Sequence, residues 1–508
     1  MLRTPSAMAL GACVFGTAYA AQRLIAPYAG LSLALYCGIA FSTLLGFAIG
    51  CALGTRAGAA EQAGPRAARA LLAAAVLTLL IALLRRPLLV ALWGVNLRVT
   101  IAITSVAFAG LPSLCLGLAF GASASHHTAS EALGAGAWLI AGAAIAAPLV
   151  GYGLAPYLGL RDTLAVIAAG EGALAFALGI RRSPAGARGN AGSIVGVLLV
   201  LAGALFIVVA PVGATRLGPR ILELDRGHEG ELRVFDRDGA RYLLADGTIH
   251  AVMDTLSGDC VQRGPAALGL LRIMRPGPDS MLVLGLRGGT LPLAFARSGW
   301  RVRVVEPDKE RVRASRRVSY RPGELPLEVA EIRRFLHRDR GKHSVIVVDA
   351  FADSYMPFPL CTREFVDLAA SRLLDNGMLV VSVETLGWDD PMLASLAATL
   401  RTRFPQVIAL PTSEPPNAVG TILLMATRQP VELTDEQLPD PTQFFQNPDA
   451  LWLVQQQTHA WLNRFEPKPM NARVLTDDKS MIEVWSDRLN FAERAELHSF
   501  FGPNGGSW

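Results

Sequence analysis

The feature that most limits what this chain can fold into is a series of long apolar stretches near 5–22, 29–53, 70–94, 99–121, 132–158, 163–180 and 191–213. A helix of roughly 20 residues crosses the hydrocarbon core of a bilayer, so the pattern predicts about seven transmembrane helices in a domain covering residues 1–215. Ala, Gly and Leu dominate these stretches, as in GAWLIAGAAIAAPLVGYGLAP. Small side chains let helices approach closely where lipid supplies no hydrophobic drive, which favours a packed bundle over separate anchors. The first stretch reads as a span and not as a signal peptide, because further spans follow it and no clear cleavage site precedes a polar region.

Charge divides the chain at the same place. Residues 1–210 hold 12 Arg, no Lys and four acids (Glu61, Glu131, Asp162, Glu171), a balance of +8, while the remainder carries −3. Arginines confined to loops between apolar runs suit a lipid bilayer with anionic headgroups. No lysine-rich or aromatic-interleaved stripe points to nucleic acid, which is set aside as a partner. Orientation should follow the basic loops, but in a seven-span layout Arg3, Arg56, Arg66, Arg69, Arg181, Arg182 and Arg188 face Arg23, Arg85, Arg86, Arg98, Arg161, Arg216 and Arg220. The two sides tie. The six cysteines (Cys13, Cys37, Cys51, Cys115, Cys260, Cys361) show no C-x-x-C spacing, so neither a zinc site nor a disulfide framework follows.

Glu171 is the one acid deep inside an apolar stretch. It reads either as a proton or amine site in a transport path or as a neutral, hydrogen-bonded carboxyl on a helix-packing face. His126 and His127 are adjacent in a polar loop and read as solvated residues, two neighbouring histidines being a poor metal site.

Beyond the last stretch the periodicity changes. GELRVFDRDGARYLLADGTIHAVM alternates apolar and polar residues around Asp238-Gly239 and Asp246-Gly247, which predicts short antiparallel strands joined by tight turns. We assign this β-strand subdomain, with its linker, to residues 216–280. From about 281 the apolar strands MLVLGL, RVRVVE, SVIVVD and GMLVVSV alternate with helical stretches such as 291–298 and 362–374. That order specifies an α/β doubly wound, mainly parallel sheet over residues 281–430, which QVIAL (406–410) and GTILLMAT (420–427) complete as an antiparallel pair. Residues 431–508 form a polar C-terminal extension with a helical patch near 447–464 and no role readable from the sequence.

Ligands of such sheets bind outside the C-terminal ends of the strands, so the acids there are the candidates. The first strand runs into Gly285-Leu286-Arg287-Gly288-Gly289-Thr290, where Gly285, Gly288 and Gly289 allow a nucleoside to approach backbone N–H groups. The second ends in Glu306, about 20 residues further on, where an acid can accept both ribose hydroxyls, with an acid merely solvated at a strand end as the alternative. Glu331 follows the third strand and is placed either to accept from an adenine amino group or to act as a plain loop acid. The fourth delivers Asp349, a carboxylate positioned to orient an amine and take its proton, with a loop-capping acid as the alternative.

The ordered set MLVLGLRGGTLPLAFA, VRVVEPD and VIVVDAF…P…LCTREFVDLAASRLLDNGMLVVSVE, preceded by YLLADGTIHAVMDT, resembles spermidine synthase and related polyamine aminopropyltransferases over roughly residues 230–428. Joined to the apolar half, the chain looks most like bacterial membrane-fused spermidine synthase-like proteins. The resemblance implies a methyltransferase-like Rossmann domain with a small N-terminal β-hairpin subdomain, fused to a multi-span α-helical membrane domain. It implies aminopropyl transfer from decarboxylated S-adenosylmethionine to a polyamine-type amine, leaving methylthioadenosine, with no metal. By position it places Gly285, Gly288, Gly289, Glu306 and Glu331 on the nucleoside, Asp349 and Asp353 in catalysis, and Asp246, His250 and Glu384 on the acceptor. It further implies a multi-pass protein of the bacterial inner membrane and leaves a homodimer open. A cytoplasmic catalytic domain is expected, because the donors are intracellular metabolites.

Several positions depart from that family's pattern. Arg287 stands where its glycine turn often has Asp, His250 where a Gln is usual, and Glu331 where Asp is usual. Its tyrosine just upstream of the first strand is missing, and Asp353 is one position out of register. Two further readings therefore stay open: a methyltransferase using S-adenosylmethionine itself, and a membrane transporter or sensor whose soluble domain binds ligand without turnover.

Overall fold

The structure, a computed structural model of the whole chain, describes residues 4–56, 63–125, 128–180, 188–209, 220–226, 230–275, 279–319, 323–351, 356–412, 418–429, 438, 448–469 and 472–503. His126, His127 and Asp353 lie outside the described residues. The chain divides into two compact units, Met1–Arg216 with Arg226–Gly230, and Leu217–Asp225 with Glu231–Trp508.

The first unit is helical. Among the described residues, five helices are long and apolar enough to cross a membrane: Thr4–Ala29, Leu33–Thr55, Ala63–Ala91, Leu97–Ala124 and Ala129–Leu158. The last two expected stretches also form helices, Leu160–Ile180 and Arg188–Val209. Large apolar side chains such as Phe41, Leu44, Ile140 and Leu205 point outward and are exposed, the arrangement a lipid-facing surface requires. Inside, the helices touch through backbone. A Cβ at Gly50 would stand 2.0 Å from the Leu114 carbonyl oxygen, and one at Gly142 would stand 1.9 Å from that of Met8. The small-residue pattern read from the sequence therefore serves close packing. Glu171 is fully buried and accepts a hydrogen bond from Thr78 Oγ1 at 3.1 Å.

The second unit holds two sheets. The smaller runs β1 (Arg220–Arg226), β2 (Glu231–Arg237), β3 (Ala240–Ala245), β4 (Thr248–Asp254), paired in that order. Asp238-Gly239 and Asp246-Gly247 turn the hairpins with positive φ at all four residues, the geometry that matches strand twist in two-residue loops.

The larger sheet contains β5 (Ser280–Leu284), β6 (Arg301–Glu306), β7 (Leu327–Val329), β8 (His343–Val348), β9 (Leu373–Leu386), β10 (Gln406–Pro411) and β11 (Val419–Thr427). Their order is β10-β11-β9-β8-β5-β6-β7; β11 runs antiparallel to both neighbours, and the pairs from β9 to β7 are parallel. Both faces are covered, with Leu282 and Leu284 in one apolar cluster and Met281 and Val283 in the other. Short crossover helices begin at side-chain caps that their sequences announce, Asp308 before Lys309–Val318, Thr362 before Arg363–Ser371 and Asp390 before Pro391–Leu400. The chain leaves β5 and β8 in opposite directions, which opens a crevice at the C-terminal ends of these neighbours.

The C-terminal extension packs into this unit. Trp461 of helix Pro448–Leu462 joins the core beside Met281 and Val283. Helix Ile482–Phe501 buries Ile482 and Leu489 in the core of the larger sheet, and Leu497 and Phe501 against Phe235 and Tyr242 of the smaller one. One helix thus ties together the two sheets that frame the crevice.

Candidate active site

Gly285 follows β5 with φ 104°, and a Cβ there would lie 2.4 Å from the Asp349 carbonyl oxygen. The turn after β5 is therefore pressed on the end of β8, a contact only glycine permits. The backbone registers this junction, with Asp349 N–H donating to Leu284 O at 2.9 Å and Gly285 N–H to Val305 O at 2.8 Å. Gly288 serves a second close approach, since a Cβ there would stand 2.4 Å from Ala251 Cβ on β4. Gly289 precedes helix Thr290–Arg297. The glycine turn is thus seated between the end of β8 and the smaller sheet.

Glu306 closes the turn from the other side. Its Oε2 accepts the Leu286 N–H at 2.8 Å and its Oε1 the Asp308 N–H at 3.1 Å. Burial pushes its carboxyl pKa up, against the pull of Arg311 and of the two N–H donors. Two oxygens that each hold one backbone donor keep lone pairs for further hydroxyls, and the bonds to both loops fix where those lone pairs point.

Asp349 and Glu384 meet at Arg287. Arg287 Nη1 donates to Asp349 Oδ1 at 3.2 Å and Nη2 to Glu384 Oε1 at 3.4 Å, and all three side chains are largely buried. Sequence reasoning noted Arg287 as a departure and did not foresee this triad. The guanidinium is anchored from behind by β4, where the pairing with β3 steps from Leu243–Ala251 to Leu244–Ile249 and leaves His250 as the extra residue of a bulge. The carbonyls there accept from Arg287, His250 O from Nε at 3.2 Å and Ile249 O from Nη2 at 3.5 Å. The Phe351 ring lies 4.5 Å from the guanidinium carbon, a cation–π contact. Burial opposes the charge on Arg287, and Asp349 and then Glu384 outweigh it, so its pKa is raised.

Burial also raises the Glu384 pKa; Glu493, brought by helix Ile482–Phe501, adds to the rise and Arg287 opposes it. Glu493 was invisible as a site residue because it is one acid on an amphipathic helix more than 100 positions away. Cys260 lies beside the same cluster, with its thiol pKa raised by burial.

The other expected residues are placed differently. Glu331 is exposed and caps helix Ile332–Arg338, its carboxylate accepting the Arg333 and Arg334 N–H groups at 3.0 and 2.7 Å. That geometry is a helix N-cap. Asp246 is buried at the β3–β4 turn and accepts the Glu231 N–H at 2.9 Å, stapling the turn to β2. His250 reaches the site through its carbonyl, while its ring is buried.

Fold and site together define a doubly wound α/β unit with an acid-lined crevice at its strand ends, in a chain that also carries an apolar helical bundle. No family model matches the chain. Over 220 residues it is 23% identical to a protein described as a probable polyamine aminopropyl transferase from Bifidobacterium longum (strain NCC 2705), a match covering 41% of this chain and 48% of that protein. The chain therefore spans about half the length of the curated relative it matches. Similar solved structures include a probable spermidine synthase from Corynebacterium glutamicum ATCC 13032 (17% identity, TM-score 0.38, 45% of this chain and 86% of that one). Others are spermidine synthase from Thermotoga maritima (15%, 0.35, 44% and 76%) and human methyltransferase-like protein 13 in complex with SAH (17%, 0.28, 40% and 90%). The resemblance carried by the motifs thus recurs in a sequence comparison, over 220 residues, with a protein described as a probable polyamine aminopropyl transferase.

Proposed function

We propose that this protein is a membrane-bound transferase that moves the aminopropyl group of decarboxylated S-adenosylmethionine to an amine. The observation that carries the reading is the convergence on one glycine turn of Glu306, bonded to Leu286 N–H, and Asp349, whose carbonyl backs onto Gly285. An acid suited to ribose hydroxyls and an acid suited to an amine then flank one crevice. In the reaction the amine lone pair forms the N–C bond, the C–S bond breaks, and its electron pair neutralises the sulfonium to give methylthioadenosine. Asp349 accepts the proton released from nitrogen. The sulfonium activates its own leaving group, so the protein's part is to align nitrogen, carbon and sulfur. Asp353, four positions further along the sequence, would be a second acid, and Glu384 would hold the acceptor's far end.

The five apolar helices support a bilayer setting, and the catalytic unit is assigned to the cytoplasmic side where such donors are made; a reporter fused after Trp508 reads out that side. Methyl transfer from S-adenosylmethionine itself is the second reading, and Arg287 favours it, because a guanidinium in the crevice complements the carboxylate that the decarboxylated donor lacks. Mass spectrometry of products formed by the full chain with either donor and a panel of amines separates the two. A mass gain of one aminopropyl group on the amine, with methylthioadenosine released, supports the first reading. A gain of one methyl group, or no transfer to any amine, overturns it.

A further inference from the structure

We infer that Arg287 docks a ligand carboxylate, so that the crevice recognises a molecule carrying both an ammonium and a carboxylate where a polyamine would bring a second ammonium. The inference concerns the same crevice and rests on the transfer readings above, the donor's carboxylate belonging to methyl transfer and the acceptor's to aminopropyl transfer. Arg287 belongs to the glycine turn itself, with φ 41°, and its guanidinium is held by the bulge carbonyls of Ile249 and His250, the Phe351 ring, Asp349 and Glu384. Swinging it out would leave two buried carboxylates facing each other with no counter-charge, so it stays when a ligand enters.

Four of its five N–H groups are engaged among the described residues, and both Nη2 contacts are long, at 3.4 and 3.5 Å. The remaining Nη1 hydrogen and these stretched contacts are what a ligand oxygen can take up. An alkylammonium at the same place would meet a fixed like charge at low local dielectric. A zwitterion fits: its ammonium faces the acids and its carboxylate faces the fork, the geometry Arg recognises best.

That group has two sources, the amino-acid tail of the donor or an amino acid serving as acceptor, and two matched pairs of probes distinguish them. S-adenosylhomocysteine and its decarboxylated analogue differ only in the donor-side carboxylate. 4-Aminobutanoate and 1,4-diaminobutane, tested with methylthioadenosine present, differ in the far end of the acceptor. Calorimetry on the full chain in detergent should show the carboxylate member of one pair binding about 10- to 100-fold more tightly, as a charge-assisted fork contributes. The preference should shrink in Arg287→Lys, which keeps the charge without the fork, and disappear in Arg287→Asn, a residue that tolerates positive φ. Methylthioadenosine affinity is measured on all three proteins, and the preference is read as the ratio within each pair, which a general loss of affinity leaves unchanged. A parent that prefers the carboxylate-free member of both pairs, or shows no preference in either, overturns the inference. So does a preference that survives in Arg287→Asn. A parent that does not bind methylthioadenosine overturns the transfer reading beneath it.

Discussion

Replacing Gly285 by Ala tests the link between the glycine turn and the end of β8, where Asp349 is proposed to act. The added Cβ would sit 2.4 Å from the Asp349 carbonyl oxygen and 2.8 Å from Ala350 Cα, where real Cβ contacts essentially never fall under 3.0 Å. The neighbouring atoms are backbone, so no side chain can rotate away; β5 and β8 must separate by at least about 0.6 Å. Backbone strain adds to this, because φ is 104° and a residue with a Cβ adopts that conformation at a cost of about 1–3 kcal/mol. With overpacking of the same order, the expected loss is about 2–5 kcal/mol of local stability. The functional effect should be larger than that of a remote destabilising change, since an error of about 1 Å in a reacting group costs on the order of 10²-fold in rate. Melting of the full chain in detergent, methylthioadenosine binding and product formation should all decline. A Gly285→Ala variant with the parent's melting midpoint and turnover would refute the claim that this contact positions Asp349.

The remaining expectations concern separate parts of the molecule. Asp349→Asn should reduce product formation by about 10²- to 10⁴-fold and leave methylthioadenosine affinity unchanged, whereas Glu306→Ala should weaken that affinity by about 1–3 kcal/mol; the opposite pattern in calorimetry would exchange their roles. In the helical unit, Gly50→Leu should lower the melting midpoint, because its Cβ position is 2.0 Å from Leu114 O, while Gly134→Leu, with nothing within 4 Å, should leave it unchanged. Equal effects would contradict the packing. Asp477, forked by Arg333 at 2.8 and 2.9 Å, has a depressed pKa through that pair. Its stabilisation is present above the unfolded value of about 4 and is lost as pH falls through the folded one. Asp477→Asn should then cost about 0.5 kcal/mol near pH 7 after solvent screening, and melting curves of parent and variant should converge in acid; a gap that persists there would rule out the charge as its cause.

The sequence alone determined the division into an apolar helical half and an α/β half, because hydrophobic period and length are local properties of the chain. It placed the hairpin turns at Asp238-Gly239 and Asp246-Gly247, and it placed Glu306 and Asp349 at strand ends, since a strand's end is written in the residues that stop it. It read Glu331 as a ligand residue or a loop acid with nothing to choose between them; the structure adds two N–H bonds to the following helix, which depend on how the chain enters Ile332–Arg338. Only the tertiary structure decided what Arg287 does. Its partners come from β4, β8 and β9, and its anchoring carbonyls exist because one extra residue at His250 breaks a ladder that the alternating pattern would have continued. The fate of the C-terminal extension was decided in the same way. Helix Ile482–Phe501 places Glu493 beside Glu384 through contacts spread over two sheets, and no window of sequence contains both. Local chemistry was legible wherever neighbours in sequence supply it. The charge balance of the site was not, because it is a sum over residues that only folding brings within a few ångströms of one another.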